Sequence, residues 1–185
     1  IIRLLGLLPG GLTVWLGFDI ALWLTRRRAV ALCAMSLIAF NPMFLTISTS
    51  VSNDGLVICF STLSLWLMAR SVMFGFTPRR AAALGAATAL ATLSKLGGLA
   101  TLPVAMAIGT LMELVQANRG RRRPDMRRLF TLNACLALPI AGLAGWWFVR
   151  NQVLYGEWTG TSMMAQVAGP RDIGLAALAQ EFEGF

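Results

Sequence analysis

The sequence predicts an all-α protein, a polytopic bundle of about six transmembrane helices. Of its 185 residues 57% are hydrophobic and only 13% are charged, and the mean hydropathy is +0.69, unlike a soluble domain of this size. Long apolar stretches are separated by short breaks, and three of these breaks hold twelve of the sixteen Lys and Arg residues. Together these observations predict a chain that crosses a membrane several times.

The distribution of basic residues predicts the orientation. The clusters lie at residues 26–28, at Arg70 with residues 79–80, and at residues 119–128. Short cytoplasmic loops carry the Lys/Arg excess in membrane proteins. We therefore expect an integral protein of a bacterial-type plasma (inner) membrane, with the basic loops cytoplasmic. Membrane lipids with anionic headgroups are the expected partners for the net charge of +8. Nucleic acid is not expected as a partner.

The six predicted spans follow from apolar runs of about 20 residues. The first ends on the triple Arg, the second has Pro42 near its outer end, and the third follows the polar stretch 48–54. The apolar stretch at residues 81–115 is too long for one crossing, and Lys95 with two glycines divides it into two. Four spans are predicted at about residues 1–24, 29–47, 55–73 and 129–149, and two shorter ones lie within residues 81–115 on either side of a break at residues 94–98.

Two regions result from this division. Residues 1–150 are expected to form the transmembrane bundle, as part of a larger membrane domain. Residues 151–185 are expected to be an extracytoplasmic segment, either the start of an outer loop or an interfacial helix. The chain begins inside an apolar helical pattern without a Met start, so we expect it to be an internal fragment of a longer protein.

Metal chemistry receives little support from the composition. There is no His, and the three Cys residues lie within apolar runs without CxxC spacing. A zinc site or a disulfide framework is therefore not expected. Whether a divalent cation takes part is left open.

Two polar groups interrupt the predicted outer side of the bundle. Asp54, after Asn53, opens the third span, where a carboxylate either caps the helix or acts as an acid at the membrane–water boundary. Lys95 lies between two apolar spans, where it either reaches the headgroups or binds a phosphate. From the residues alone, both alternatives stay open at each position.

A third outer feature combines aromatic residues with an arginine. Arg150 and Asn151 follow Trp146-Trp147-Phe148, and Tyr155 comes next before Glu157 and Trp158. Such a segment is either an aromatic belt with a flanking Arg or a site where Arg binds phosphate and aromatic rings stack on sugars.

Taken in order, three stretches resemble the integral-membrane C-type glycosyltransferase superfamily. They are NPMFLTISTSVSNDGLVICFSTLSLWLMAR (41–70), GAATALATLSKLGGLATLPVA (85–105) and GWWFVRNQVLYGEWTGTSMM (145–164). The resemblance is to the bacterial branch of dolichyl-phosphate-mannose–protein mannosyltransferase-like and aminoarabinose-transferase-like proteins. Each motif is only moderately specific alone, and the ordered trio is considerably more so.

The resemblance implies an inverting glycosyltransferase. Its donor would be a polyprenyl-phosphate sugar, and its acceptor a protein, lipid or glycan on the extracytoplasmic face. Asp54 matches a secondary acidic position, and Lys95 and Arg150 match basic positions facing the donor phosphate. Asn53, Asn151 and Tyr155 complete the expected substrate-binding residues. The family's principal acid lies in its first outer loop, which we expect to precede Ile1, so the fragment alone should be inactive.

Two other functions remain as alternatives. One is a transporter or flippase for a lipid-linked substrate, although transporters tend to place charges at the bilayer midplane on broken helices. The other is a non-catalytic membrane assembly subunit, in which the outer residues would only cap helices and anchor the interface.

Overall fold

The computed structural model describes residues 2–120 and 124–168 of the chain, and within them every regular element is a helix. The chain divides into two compact units, Ile1–Trp146 and Trp147–Phe185, whose boundary lies within the seventh α-helix. The predicted all-α class is confirmed. The helices are α1 (Ile2–Thr25), α2 (Arg28–Ala39), α3 (Pro42–Thr49), α4 (Asp54–Phe74), α5 (Pro78–Ser94), a 3₁₀ helix (Leu96–Ala100), α6 (Thr101–Arg119), α7 (Met126–Tyr155) and α8 (Thr161–Ala168).

The expected number of about six spans is a little high. Among the described residues, four helical segments are long and apolar enough to cross a membrane: Gly6–Thr25, Asp54–Phe74, Leu96–Val115 and Met126–Tyr155. The segment α5, predicted as a span, has 17 residues and is about 26 Å long, less than the hydrocarbon thickness of about 30 Å. Ala, Gly and Thr make α5 less apolar than its neighbours, and it packs mainly as a buried helix.

The second predicted span is not one straight helix. It is the pair α2 and α3, bent by 59° at Phe40–Asn41, and counting this pair as one span raises the total to five. The side chain of Asn41 accepts hydrogen bonds from the N–H groups of Met43 (2.9 Å) and Phe44 (3.2 Å). Pro42 disfavours helical geometry at the residue before it and suits the first position of a helix. The sequence Asn-Pro therefore ends one helix and starts another.

The core of the first unit lies between α4, α5, α6 and the first part of α7. Gly85 of α5 packs so closely on α7 that a Cβ built there would lie 2.1 Å from the carbonyl oxygen of Leu136. Small residues allow such close packing in a membrane, where contact between helices rather than hydrophobicity drives association. The buried apolar side chains of this core are Met68, Phe76, Ala81, Leu84, Ala105, Leu132 and Leu136.

The first unit has two distinct ends. At one end the rings of Trp23 and Phe74 lie 5.9 Å apart, which brings together the C-terminal ends of α1 and α4 and the arginines that follow them. At the other end the first residue of α4, Asp54, meets Lys95 after α5. Since α4 has 21 residues, these ends are about 31 Å apart. The arginine breaks after α1 and α4 therefore lie opposite Asp54.

Candidate functional site

An ion pair between Asp54 and Lys95 joins two candidate residues that are 41 positions apart in sequence. The Nζ atom of Lys95 lies 2.7 Å from Oδ1 of Asp54, and the Lys95 and Asp54 side chains are 63% and 42% exposed, respectively. The structure thus brings together an acid and a base at the end of the bundle opposite the arginines. An exposed pair of this kind stabilises a fold by at most about 1 kcal/mol.

The backbone around Lys95 explains how the side chain reaches Asp54. Lys95 is extended, with φ −160° and ψ 135°, so it ends α5 before the 3₁₀ helix begins. The N–H of Gly98 then donates to the carbonyl of Lys95 at 2.8 Å, and a Cβ at Gly98 would lie 2.4 Å from the carbonyl carbon of Ala91. Only glycine fits this close return of the chain, which leaves the lysine side chain at the end of α5.

Asn53 occupies the N-cap position of α4, but its side chain makes no capping hydrogen bond. The N–H of Asp54 donates instead to the hydroxyl of Ser52, over 3.4 Å. The carboxylate of Asp54 itself forms the ion pair with the ammonium group of Lys95. The expected role of Asn53 in substrate binding stays a prediction.

In the second unit, a cavity of about 470 Å³ collects the other three candidate residues. Arg150, Asn151 and Tyr155 come from the last turns of α7, and the remaining walls come from the following loop and α8. Such a cavity combines a guanidinium group, which suits phosphate, with aromatic rings and apolar walls. Its described lining residues are Trp147, Arg150, Asn151, Tyr155, Thr159, Gly160, Met163 and Val167.

The loop between α7 and α8 depends on two glycines and on Asn151. Gly156 and Gly160 have φ values of +71° and +67°, which side-chain-bearing residues rarely adopt. Asn151 is only 2% exposed, and its Nδ2 donates to the carbonyl oxygen of Trp158 over 3.5 Å. This amide therefore holds the loop that forms the cavity wall.

Glu157, to which the sequence pattern assigned no role, caps α8. Its carboxylate accepts hydrogen bonds from the N–H groups of Ser162 (3.0 Å) and Met163 (3.2 Å) and from the Ser162 hydroxyl. The Ser162 hydroxyl is the main reason that the pKa of Glu157 falls below its ordinary value of 4.5. The sequence signal for this helix cap was an acid in a Gly-rich turn, shortly before a Thr-Ser pair.

We expect the start of α8 to loosen in acid. Because the pKa of Glu157 is lowered in the folded state, its stabilising contribution is present above the ordinary carboxyl pKa of 4.5 and is lost as the pH falls through the lowered value. Hydrogen exchange at Ser162 and Met163, corrected for intrinsic rates, should stay constant from pH 7 to about pH 5 and rise below about pH 4. Glu157→Gln should abolish this pH dependence, and a wild-type profile that is flat down to about pH 2 would contradict the assignment.

The described residues contain no group of three or more His, Cys, Asp or Glu side chains placed to hold a metal ion.

The chain matches a protein-family model. The family model for dolichyl-phosphate-mannose-protein mannosyltransferase matches residues 1–155, which include Asp54, Lys95, Arg150, Asn151 and Tyr155. No curated protein and no solved structure matches the chain. The match agrees with the glycosyltransferase superfamily that the three motifs resemble, while the bacterial branch stays a prediction.

Proposed function

The chain belongs to the dolichyl-phosphate-mannose-protein mannosyltransferase family of membrane glycosyltransferases, and on this basis we propose its reaction. It transfers a sugar from a polyprenyl-phosphate donor to a protein, lipid or glycan acceptor. The transfer takes place on the extracytoplasmic face of the membrane.

The observation that carries this proposal is the ion pair between Asp54 and Lys95. The pair is at the end of the bundle opposite the arginines that follow α1 and α4. If basic loops are cytoplasmic, the pair lies at the extracytoplasmic boundary, where the phosphate of a lipid-linked donor also lies. A lysine ammonium is a compact charge that suits such a phosphate.

The cavity around Arg150 supports the same reaction class. The guanidinium group can bind two phosphate oxygens at once, and Trp147 and Tyr155 offer aromatic faces beside it. The exposed arginine side chain is free to approach a ligand from the solvent side. We assign Arg150 to the donor phosphate and assign Asn151 and Tyr155 to substrate binding.

The proposed reaction is a direct displacement with inversion. The acceptor hydroxyl oxygen attacks the anomeric carbon, the bond from that carbon to the phosphate oxygen breaks, and the polyprenyl phosphate leaves with the electron pair. A carboxylate takes the hydroxyl proton, and cationic groups stabilise the charge on the departing phosphate. In this scheme Asp54 is a secondary acid that holds Lys95 in place, and Lys95 faces the phosphate.

Substitutions in the ion pair test this scheme. Lys95→Gln should lower the turnover of the full-length protein about tenfold to a hundredfold, and Asp54→Asn about tenfold. Because the two residues act together, the double variant should lose little more than Lys95→Gln alone. The measurement is sugar transfer from a polyprenyl-phosphate-mannose donor in membrane vesicles, with thermal unfolding in detergent as a check on folding.

The matched control is Arg79→Gln, which neutralises an exposed cation in the first turn of α5, the helix that Lys95 follows. It should leave turnover within about twofold of the wild type, since it removes only a surface charge. Unchanged turnover in both Lys95→Gln and Asp54→Asn would remove these residues from the reaction.

A further inference from the structure

A second cavity, of about 190 Å³, lies at the same end of the first unit as the Asp54–Lys95 pair. Its walls come from α1, from the end of α3, and from the turn and first residues of α4. Ser52 and Gly55, which lie on either side of Asn53 and Asp54 in the chain, both line it. The cavity wall therefore includes the start of α4, where Asp54 is the first residue.

Glycines on α1 allow the end of α3 to pack closely against α1 at the cavity wall. A Cβ at Gly6 would lie 2.6 Å from the carbonyl oxygen of Ser48, and one at Gly10 would lie 3.0 Å from its hydroxyl oxygen. Pro9, between them, also lines the cavity and has no backbone N–H.

Ser48 is a polar residue in the wall of this cavity. Ser48 is only 6% exposed, and no hydrogen bond joins its hydroxyl to any other residue that the structure describes. By contrast, the Ser50 hydroxyl donates to the carbonyl oxygen of Ile47 at 2.8 Å and lies 3.1 Å from the Ser52 hydroxyl. Because Ser48 lines the cavity and its hydroxyl can both donate and accept, this group can bond a ligand that enters the cavity.

The chemistry of the walls limits the class of ligand. The described residues that line the cavity carry no charged side chain; they offer serine hydroxyls and apolar surface. Its volume corresponds to about six water molecules at roughly 30 Å³ each, which suits a small ring rather than a lipid chain. Hydroxyls that both donate and accept recognise neutral hydroxyl groups, whereas a phosphate would need cations.

We propose that this cavity binds the hydroxyl groups of a sugar ring, with the Ser48 hydroxyl as a direct hydrogen-bonding partner. The proposal rests on the proposed function, and it adds a subsite for a neutral sugar beside Asp54. The ring comes from the donor or from a glycan acceptor, and both present the same chemistry to the serines.

Thiol labelling of Ser48→Cys tests occupancy without requiring turnover. The background would be the full-length protein with every cysteine replaced by Ala, including Cys33, Cys59 and Cys135. A small methanethiosulfonate reagent should label the new thiol, and polyprenyl-phosphate mannose should slow that labelling at least fivefold. Polyprenyl phosphate without sugar should leave the rate within about twofold, because the cavity walls have no group for phosphate. Slowing by millimolar methyl mannoside as well would identify an acceptor-type sugar as an occupant.

The control thiol is Thr49→Cys, which is adjacent in α3, exposed, and outside the cavity. Its labelling should not respond to any sugar. Equal slowing of Ser48→Cys by polyprenyl phosphate with and without sugar would overturn the proposal, as would the absence of slowing by every sugar-bearing ligand. Because labelling does not depend on transfer, a protein that transfers sugar without protecting the thiol would refute this subsite and not the reaction.

A second variant guards against a misfolded or unlabelled cysteine protein. Ser48→Ala removes only the hydroxyl and should raise the KM for the substrate that supplies the ring by about two- to tenfold, with kcat changed less. Titrating donor and acceptor separately shows which substrate is affected. Unchanged KM values for both would contradict the proposal.

Discussion

Arg150→Ala is expected to lower the rate of sugar transfer by about 10²–10³-fold, the largest loss of activity among the substitutions considered for this chain. Arg150 is the guanidinium group in the 470 Å³ cavity, beside Trp147 and Tyr155. A phosphate that leaves with a full negative charge is stabilised most by a cation that is already in position. The measurement is turnover of the full-length protein with polyprenyl-phosphate mannose in vesicles.

The type of cation should also matter at this position. Arg150→Lys keeps the charge but loses the planar fork that binds two oxygens, so we expect it to recover only part of the activity. Arg127→Ala is the matched control, since Arg127 is an exposed arginine in the first turn of the same helix. If Arg127→Ala and Arg150→Ala reduced turnover equally, the loss would reflect surface charge and not phosphate binding.

Gly85→Ala is expected to produce the largest loss of stability, about 3 kcal/mol or more. The added Cβ would lie 2.1 Å from the carbonyl oxygen of Leu136 and 3.0 Å from its carbonyl carbon. Both atoms belong to the backbone of α7, so relief requires the two helices to move apart. That movement would open the core around Leu84 and Leu136, which are almost fully buried.

A glycine on the partner helix provides the comparison for Gly85. A Cβ at Gly142 of α7 would meet nothing within 4 Å, so Gly142→Ala should be neutral or slightly stabilising through helix propensity. Denaturant unfolding in detergent, followed by circular dichroism, measures both variants. Equal stability of Gly85→Ala and the wild type would show that the backbones of α5 and α7 are not in close contact at this position.

Most of the helices could be predicted from the sequence, because long apolar runs bounded by arginines are typical of membrane-spanning helices. The charge pattern placed Asp54 and Lys95 on one side of the bundle, but it did not predict that they form an ion pair. The bend at Phe40–Asn41 and the shortness of α5 were not anticipated. Hydropathy averages over about 20 residues, so it does not detect a capping side chain or a helix too short to cross.

The cavities could not be predicted from the sequence for a different reason. Ser48 looks like any hydroxyl in a polar turn, and its burial depends on Gly6 and Gly10, about 40 residues earlier on α1. Glu157 likewise acquires its role only once α8 begins at Thr161. A single sequence shows which residue types are present. Packing between distant segments decides which residues each side chain contacts. Arg150 could be selected as a candidate from the sequence, but the cavity around it is seen only in the structure.

The proposed reaction is tested most directly with the wild-type full-length protein in sealed vesicles, using radiolabelled polyprenyl-phosphate mannose and a membrane extract as the source of acceptor. We predict that label appears in a glycoside on the extracytoplasmic side, with its anomeric configuration opposite to that of the donor. Label that crosses the bilayer while remaining attached to polyprenyl phosphate, with no glycoside formed, would contradict the proposed transfer and identify a transporter.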